Sequence, residues 1–106
     1  TKEHFHACGI TDDINVEVMG LENEKEWSKI FEKPQERFNI DAVTEEIIRV
    51  ARKGIAKHPK IRAIVLECTD LPPYAAKIRE AVNLPVFDLN SMMSHVAIAL
   101  GEIKLF

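Results

Sequence analysis

The sequence predicts an α/β fold in which helices cover both faces of a doubly wound parallel sheet. Two short segments, 63–66 and 84–89, are mainly apolar and lack strict polar alternation, which indicates strands buried on both faces. Segments with helical periodicity alternate with these strands, as in parallel sheets with helical crossovers. This order of elements is typical of a Rossmann-like or flavodoxin-like layer.

The N-terminal part of the chain predicts a helix end, a strand and a second helix. Gly9 stands where helices often stop, so residues 1–9 are predicted to be the end of a helix. Residues 14–19 alternate apolar and polar side chains with period two, which predicts a strand. A helix is predicted over 24–32, because its apolar residues share one helical face and Pro34 follows it.

The helix predicted over 41–58 has the clearest pattern in the chain. Asp41 is a suitable N-cap, acidic residues occupy the early turns and basic residues crowd the far end, as the helix dipole favours. Pro59 ends the helix. Its buried face is predicted from the three- and four-residue spacing of Val43, Ile47, Val50, Ala51 and Ile55.

The second half of the chain continues the alternation of strands and helices. A helix is predicted over 73–83 and a last helix over 90–101, on either side of the strand at 84–89. The chain has no internal repeat or linker, and its 106 residues, 46% of them hydrophobic, are enough for one buried core. We therefore expect a single compact unit.

The composition argues against several classes of protein and site. The net charge of -3 comes from 14 basic and 17 acidic residues spread along the chain, without the basic block that a nucleic-acid partner requires. No apolar run has the length of a membrane span and no signal-peptide pattern is present, so we expect a cytoplasmic protein without a membrane partner. No cofactor fingerprint is present, and His4 and His6 lie too close in sequence to share a helix face, so neither a cofactor nor a metal is expected.

Cys68 is the candidate reactive residue, because it follows a predicted strand at the edge where parallel sheets bind ligands. A helix beginning near Pro72 or Pro73 would offer free backbone donors that favour a thiolate, which makes a nucleophile or a proton-transferring base possible. The alternative is a small apolar side chain that ends a buried strand. Two cysteines are too few for a disulfide scaffold, so reduced thiols are expected, and Cys8 is interpreted as structural.

The polar residues at the same edge each have two interpretations. Thr69 either hydrogen-bonds a substrate carboxylate or caps the following turn. Asp70 is expected to be a turn or capping residue rather than an acid catalyst. Asp88 ends the second strand and is a weaker site candidate, with an N-cap of the last helix as its alternative.

The segment AIVLECTDLPPYAAKIREAVNLPVFDLNSM resembles the C-terminal half of the aspartate/glutamate racemase superfamily, which includes hydantoin racemase-like proteins. In that superfamily a strand ends in a cysteine–threonine pair, followed by a leucine–proline turn, a helix and a short strand ending in PVFD or PVID. The earlier segments ACGI and VEVMGLENEKEW are also similar, so the resemblance covers nearly the whole chain.

The resemblance implies that residues 1–106 are the second α/β domain of a pseudo-symmetric two-domain protein. The N-terminal half and the first strand of this domain would then be absent. Residues 90–106 would pack back towards the missing half, the intact protein would be a homodimer, and the fragment alone would be inactive because the other half supplies a second cysteine.

The resemblance also implies a function, that of a cofactor-independent amino-acid racemase or epimerase, an isomerase acting on aspartate, glutamate or a related small carboxylate. Cys68 would be the catalytic thiolate that exchanges the α-proton, and Thr69 would bind the substrate carboxylate. Glu67 departs from the superfamily pattern, which has glycine before the cysteine. The alternatives are a decarboxylase or cis–trans isomerase of small dicarboxylates and a non-catalytic ligand-binding module.

Overall fold

The computed structural model describes residues 1–37 and 39–102 of the chain. These residues form a mostly helical domain around a two-stranded parallel sheet. The last part of the predicted returning segment, 103–106, lies outside the described residues. The elements in chain order are α1 (Lys2–Ala7), α2 (Lys25–Glu32), α3 (Ile40–Lys57), β1 (Ile64–Val65), a 3₁₀ turn (Pro72–Tyr74), α4 (Ala75–Val82), β2 (Val86–Phe87) and α5 (Leu89–Ala99).

The sheet pairs β1 with β2 in parallel, with Ile64 opposite Val86 and Val65 opposite Phe87. The Leu66 N–H extends this ladder by donating to the Phe87 carbonyl at 2.8 Å. The helix α4 connects the two strands and packs against α3, which confirms the α/β class. Ile64 and Val86 are buried in the core, whereas Val65 and Phe87 alternate to the other face and are 74% and 55% exposed.

The prediction of a strand over 14–19 is wrong, because residues 14–19 form neither a helix nor a strand in the structure. The apolar alternation is present, but Ile14, Val16 and Val18 are exposed, and within the described part of the chain no neighbouring strand pairs with them. A strand requires such a partner, since its backbone groups cannot hydrogen-bond within the segment.

Met19 fixes the 14–19 segment on α3 instead. Its side chain covers Gly54 so closely that a Cβ at position 54 would collide with the Met19 sulfur. A larger residue at this position would force the Met19 side chain to move, and glycine avoids that collision despite its low helix propensity. At the end of α3, Nε2 of His58 lies 3.4 Å from a carboxylate oxygen of Glu17, which adds a second contact.

The helix α3 begins one residue before its predicted start, because Asn39 rather than Asp41 is the N-cap. The Asn39 side chain accepts a hydrogen bond from the Ala42 N–H at 3.2 Å. Val43, Ile47 and Ala51 of the predicted buried stripe are buried and form much of the core, whereas Val50 and Ile55 are only half-buried. The buried apolar residues are Trp27, Val43, Ile47, Ala51, Ile64, Leu66, Leu71, Tyr74, Ala75, Ile78 and Val86, and we call them the core cluster.

The helix α5 is capped by Asp88, which confirms the alternative interpretation of that residue. Its Oδ1 accepts the Ser91 N–H at 2.6 Å, and Ser91 Oγ accepts the Asp88 N–H at 2.9 Å, a capping box. No residue of α5 is buried, and no helix within the described ranges is long and apolar enough to cross a membrane. Its exposed apolar residues are Leu89, Met92, Met93, Val96 and Ile98.

Glu46 is a buried carboxylate, 8% exposed, that joins α3 to the start of α2. Its two oxygens accept the N–H groups of Glu26 at 2.9 Å and of Trp27 at 3.0 Å. These amides belong to the first turn of α2, whose N-cap residue, Glu24, makes no side-chain capping bond. Glu46 therefore caps α2 from another helix, and an ion pair between Arg49 and Glu24 supports the same junction.

Replacing Glu46 by alanine should lower the free energy of unfolding by about 1–3 kcal/mol, because two amides lose their acceptor. The adjacent exposed residue gives a matched control, and Glu45→Ala should stay within about 0.5 kcal/mol of the parent chain. Urea unfolding followed by the fluorescence of Trp27, the one tryptophan, measures both variants. Equal losses of stability in the two variants would contradict the capping role.

Candidate active site

Cys68 lies just after β1, in the turn that leads to α4. Its side chain is half-buried against the core cluster, and its carbonyl accepts the Leu71 N–H at 3.1 Å. Both cysteines, Cys8 and Cys68, are free thiols, as their number predicts. Cys68 thus lies where the chain leaves the core, at the carboxyl edge of the sheet.

The helix start after Cys68 differs from the prediction. Pro72 and Pro73 are its first two residues and have no N–H, and the Tyr74 N–H donates to the Leu71 carbonyl at 2.9 Å. The next amide is bonded to the Pro72 carbonyl. The expectation that free backbone donors favour a thiolate at this point is therefore wrong, because the prolines remove two donors and the turn occupies the next two.

Asp70 lies beside the thiol of Cys68. The separation between Sγ and Oδ2 of Asp70 is 3.9 Å, and the thiol is the donor in this weak S–H···O hydrogen bond. Asp70 lies in the turn, as predicted, and it also contacts the thiol. The group that orients the Cys68 thiol is thus a side-chain carboxylate rather than a helix terminus.

A cleft of about 550 Å³ opens next to Cys68, between the turn after β1 and the start of α3, and α2 contributes to one wall. Thr69 and Asp70, which follow the cysteine, are exposed and both line it. We call it the Tyr74 cleft. Its lining residues are Ile30, Ile40, Asp41, Thr44, Thr69, Asp70, Pro73, Tyr74 and Lys77.

Tyr74 lines this cleft although only 7% of its surface is exposed. Within the described residues, no fully enclosed side-chain nitrogen or oxygen lacks a hydrogen-bond partner. Burial raises the pKa of Tyr74 above its ordinary value of 10.0, and the Asp70 carboxylate raises it further. The hydroxyl is therefore protonated at neutral pH.

Sequence reasoning missed Tyr74 and Lys77 as site residues. The available signal was local: Tyr74 is the only tyrosine of the chain, it follows two prolines and it precedes Lys77 by one helical turn. Asp41 was assigned only a capping role, yet it lines the cleft. These residues come together with Thr69 because α4 packs against α3.

The other candidates lie apart from the cleft lining. Cys8 is exposed at the end of α1, and His6 pairs with Asp12 at 2.9 Å. Asp88 is used as the cap of α5. In the residues that the structure covers, no group of three or more His, Cys, Asp or Glu side chains is arranged to hold a metal ion.

A free thiol beside a cleft at the carboxyl edge of a βαβ unit is the kind of site that enzymes use on small molecules. The chain is 36% identical over 96 residues to dimethylsulfoniopropionate lyase 3 of Emiliania huxleyi (strain CCMP1516), a match that covers 82% of this chain and 24% of that lyase. Dimethylsulfoniopropionate lyase 5 of the same organism is 32% identical over 91 residues, 86% of this chain and 18% of the lyase.

A dimethylsulfoniopropionate lyase of Durusdinium sp. clade D is 47% identical over 53 residues, which are 50% of this chain and 18% of that protein. The chain therefore spans about a quarter or less of the length of the relatives that it matches. No family model and no solved structure matches it.

These relatives correct both the resemblance to the aspartate/glutamate racemase superfamily and the function that it implies. They are named lyases, so the expectation of an amino-acid racemase or epimerase, and hence of an isomerase, is wrong. Their names likewise give no support to a decarboxylase, a cis–trans isomerase or a non-catalytic module. The sequence motif around Cys68 identifies the end of a strand. It does not identify the reaction, because proteins with the same local structure can catalyse different reactions.

The raised pKa of Tyr74 provides a test of the cleft geometry. As the only tyrosine, it can be titrated alone by phenolate absorbance, and it should ionise at higher pH in the folded chain than in denaturant. Because the unfolded state loses this proton first, the contribution to stability is complete below about pH 10 and is lost as the pH rises through the folded pKa. Asp70→Asn should lower the pKa of Tyr74 in the folded chain. A Tyr74 titration that is unchanged by this substitution would contradict the effect of the Asp70 carboxylate on Tyr74.

The two thiols should differ in their rate of alkylation. Cys8 is exposed, whereas Cys68 is half-buried and hydrogen-bonded to Asp70, so iodoacetamide should modify Cys8 first. Peptide mass spectrometry after short exposures measures each site, with the denatured chain as the reference. Equal rates in the native chain would contradict the packing of Cys68 against the core cluster.

Proposed function

We propose that this chain contributes the thiol-bearing part of the active site of a lyase that cleaves dimethylsulfoniopropionate or a closely related β-sulfonio carboxylate. The observation that carries the proposal is the position of Cys68, at the carboxyl edge of the sheet and beside the Tyr74 cleft. Similarity to lyases named for this substrate supports it. Since the match covers 24% of the first of these lyases, the proposal concerns the residues that this chain supplies.

The structure of the substrate defines the reaction. Dimethylsulfoniopropionate has a carboxylate at one end and a dimethylsulfonium group on the β-carbon. Removal of a proton from the α-carbon lets the C–H electron pair form a carbon–carbon double bond. The bond between the β-carbon and sulfur breaks at the same time, and dimethyl sulfide leaves with its electron pair. The products are dimethyl sulfide and acrylate, and this elimination requires no external oxidant or reductant.

Cys68 is the base in this proposal. Once its thiol proton has passed to water, the thiolate takes the α-proton and becomes a thiol again, and loss of that proton to water completes the cycle. Asp70, with Oδ2 3.9 Å from the sulfur, orients the thiol. Thr69 donates a hydrogen bond to the substrate carboxylate, which stabilises the negative charge that develops when the α-proton leaves.

The proposal extends to the complete fold and its assembly. Parallel sheets are normally covered on both faces, whereas Val65 and Phe87 are exposed here and α5 has no buried residue. In the complete lyase the sheet is doubly wound, this chain is one α/β half, and the exposed face and α5 pack against the remaining polypeptide. The enzyme is a homodimer in the cytoplasm, where two free thiols suit a reducing compartment.

Replacing Cys68 by alanine should reduce dimethyl sulfide release by about 10²–10⁴-fold, because the elimination loses its base. Headspace gas chromatography measures the product, with the full-length polypeptide that carries this chain as the enzyme. Acrylate, measured by NMR in the same samples, should appear in equal amount.

The other free cysteine provides the matched control for this variant. Cys8 is exposed at the end of α1, so Cys8→Ala should keep the parent rate. Circular dichroism should show that both variants are folded. A folded Cys68→Ala enzyme with the parent rate would overturn the proposed role, and a parent enzyme that releases no dimethyl sulfide would overturn the proposed function.

A further inference from the structure

Part of the wall of the Tyr74 cleft comes from α3 and part comes from α2. Ile40, Asp41 and Thr44 lie in the first two turns of α3, whereas Ile30 lies in α2. Ile30 is half-buried and packs against the core cluster, so it closes its part of the cleft with apolar surface. The position of this part of the wall therefore depends on how α2 is held against α3.

Glu46 holds α2 against α3 through the backbone of α2. It lies on α3, two residues after Thr44, and its carboxylate oxygens accept the N–H groups of Glu26 at 2.9 Å and of Trp27 at 3.0 Å. Ile30 lies one helical turn after Trp27, on the same face of α2. The two hydrogen bonds thus connect one helix of the wall to the start of the other.

Two other contacts of α2 do not fix its direction. Glu24, the N-cap residue, makes no side-chain capping bond, and its ion pair is with Arg49, an exposed side chain, so the pair contributes little. Trp27 is buried and anchors α2 at one point, but a single anchor lets an eight-residue helix turn about it. The direction of α2, and with it the position of Ile30, is set by the hydrogen bonds to Glu46.

We infer that Glu46 is a positioning residue of this site, which raises the affinity for the substrate by holding Ile30 in the wall of the Tyr74 cleft. That the substrate is dimethylsulfoniopropionate rests on the proposed function. Glu46 is not among the residues that line the cleft, so it acts through Ile30 and not on the reacting atoms. Such an interaction strengthens binding of the substrate and of the transition state equally, so its loss raises KM and leaves kcat unchanged.

Steady-state release of dimethyl sulfide by the full-length polypeptide that carries this chain tests the positioning role. Glu46→Ala should raise KM by about two- to tenfold, because the lost hydrogen bonds limit the size of the effect, and should keep kcat within about twofold. A role in stability alone gives a different result. Partial unfolding lowers the amount of active enzyme, and hence the maximal rate, without changing KM.

Matched variants distinguish the wall of the cleft from the rest of the fold. Ile30→Ala leaves both hydrogen bonds of Glu46 in place and should raise KM by a similar factor, so it also serves if Glu46→Ala does not fold. Ile48, a half-buried isoleucine of α3 outside the cleft lining, provides the control, and Ile48→Ala should keep the parent KM. Glu46→Gln retains one oxygen acceptor and should give a KM between those of the parent and Glu46→Ala.

Combining two substitutions tests whether Glu46 acts through Ile30. Without the Ile30 side chain, the direction of α2 no longer affects this part of the wall. Glu46→Ala should therefore have little further effect on KM when Ile30→Ala is already present. A double variant whose KM rises by the product of the two separate factors would overturn the positioning role.

Calorimetric titration of dimethylsulfoniopropionate into the full-length Cys68→Ala enzyme measures the dissociation constant without rapid turnover. If the parent enzyme releases no dimethyl sulfide but Glu46→Ala still weakens this binding, the positioning role is supported and the lyase is overturned. If dimethyl sulfide is released and Glu46→Ala changes neither KM nor the dissociation constant, the positioning role alone is overturned. Absence of both release and binding overturns both.

Discussion

The buried carboxylate of Glu46 is the interaction on which the shape of the candidate site depends. The helix α2 has only eight residues, and a helix of that length is not stable in isolation. Glu46 binds the amides of its first turn and thereby fixes α2 on α3, with Trp27 in the core cluster. Ile30, one turn further along α2, forms part of the cleft wall. A carboxylate remote in sequence from Cys68 thus helps to hold the helix that forms this wall.

Local signals in the sequence were sufficient to locate the helices, but not to decide which segment forms a strand. Caps, prolines and helical spacing act within a few residues, and α3 and α5 begin within one residue of their predicted starts. The strand prediction for residues 14–19 failed because alternation of apolar and polar residues shows only that one face of the segment could be buried. A strand also needs a neighbour to pair with, and the segment packs through Met19 on α3 instead.

The residues of the candidate site also differed in whether the sequence alone could assign them to it. Cys68 and Thr69 could be assigned to the sheet edge from chain order, because any residue after a parallel strand lies there. Asp41 and Tyr74 could not be joined to them, because they meet only through the packing of α3 against α4. The sequence motif could not identify the reaction either, since a cysteine at the end of a strand can take part in several kinds of reaction. The groups around the substrate determine which reaction occurs.

Pro72 and Pro73 act on the unfolded chain as well as on the folded one. Each ring fixes the backbone angle φ, so the segment after Cys68 samples few conformations before it folds. Correspondingly little conformational entropy is lost when the turn becomes ordered, and little remains to be lost when a small molecule enters the cleft. The prolines therefore preorganise the surface that carries the thiol, and the affinity of a ligand there is reduced little by ordering of the protein.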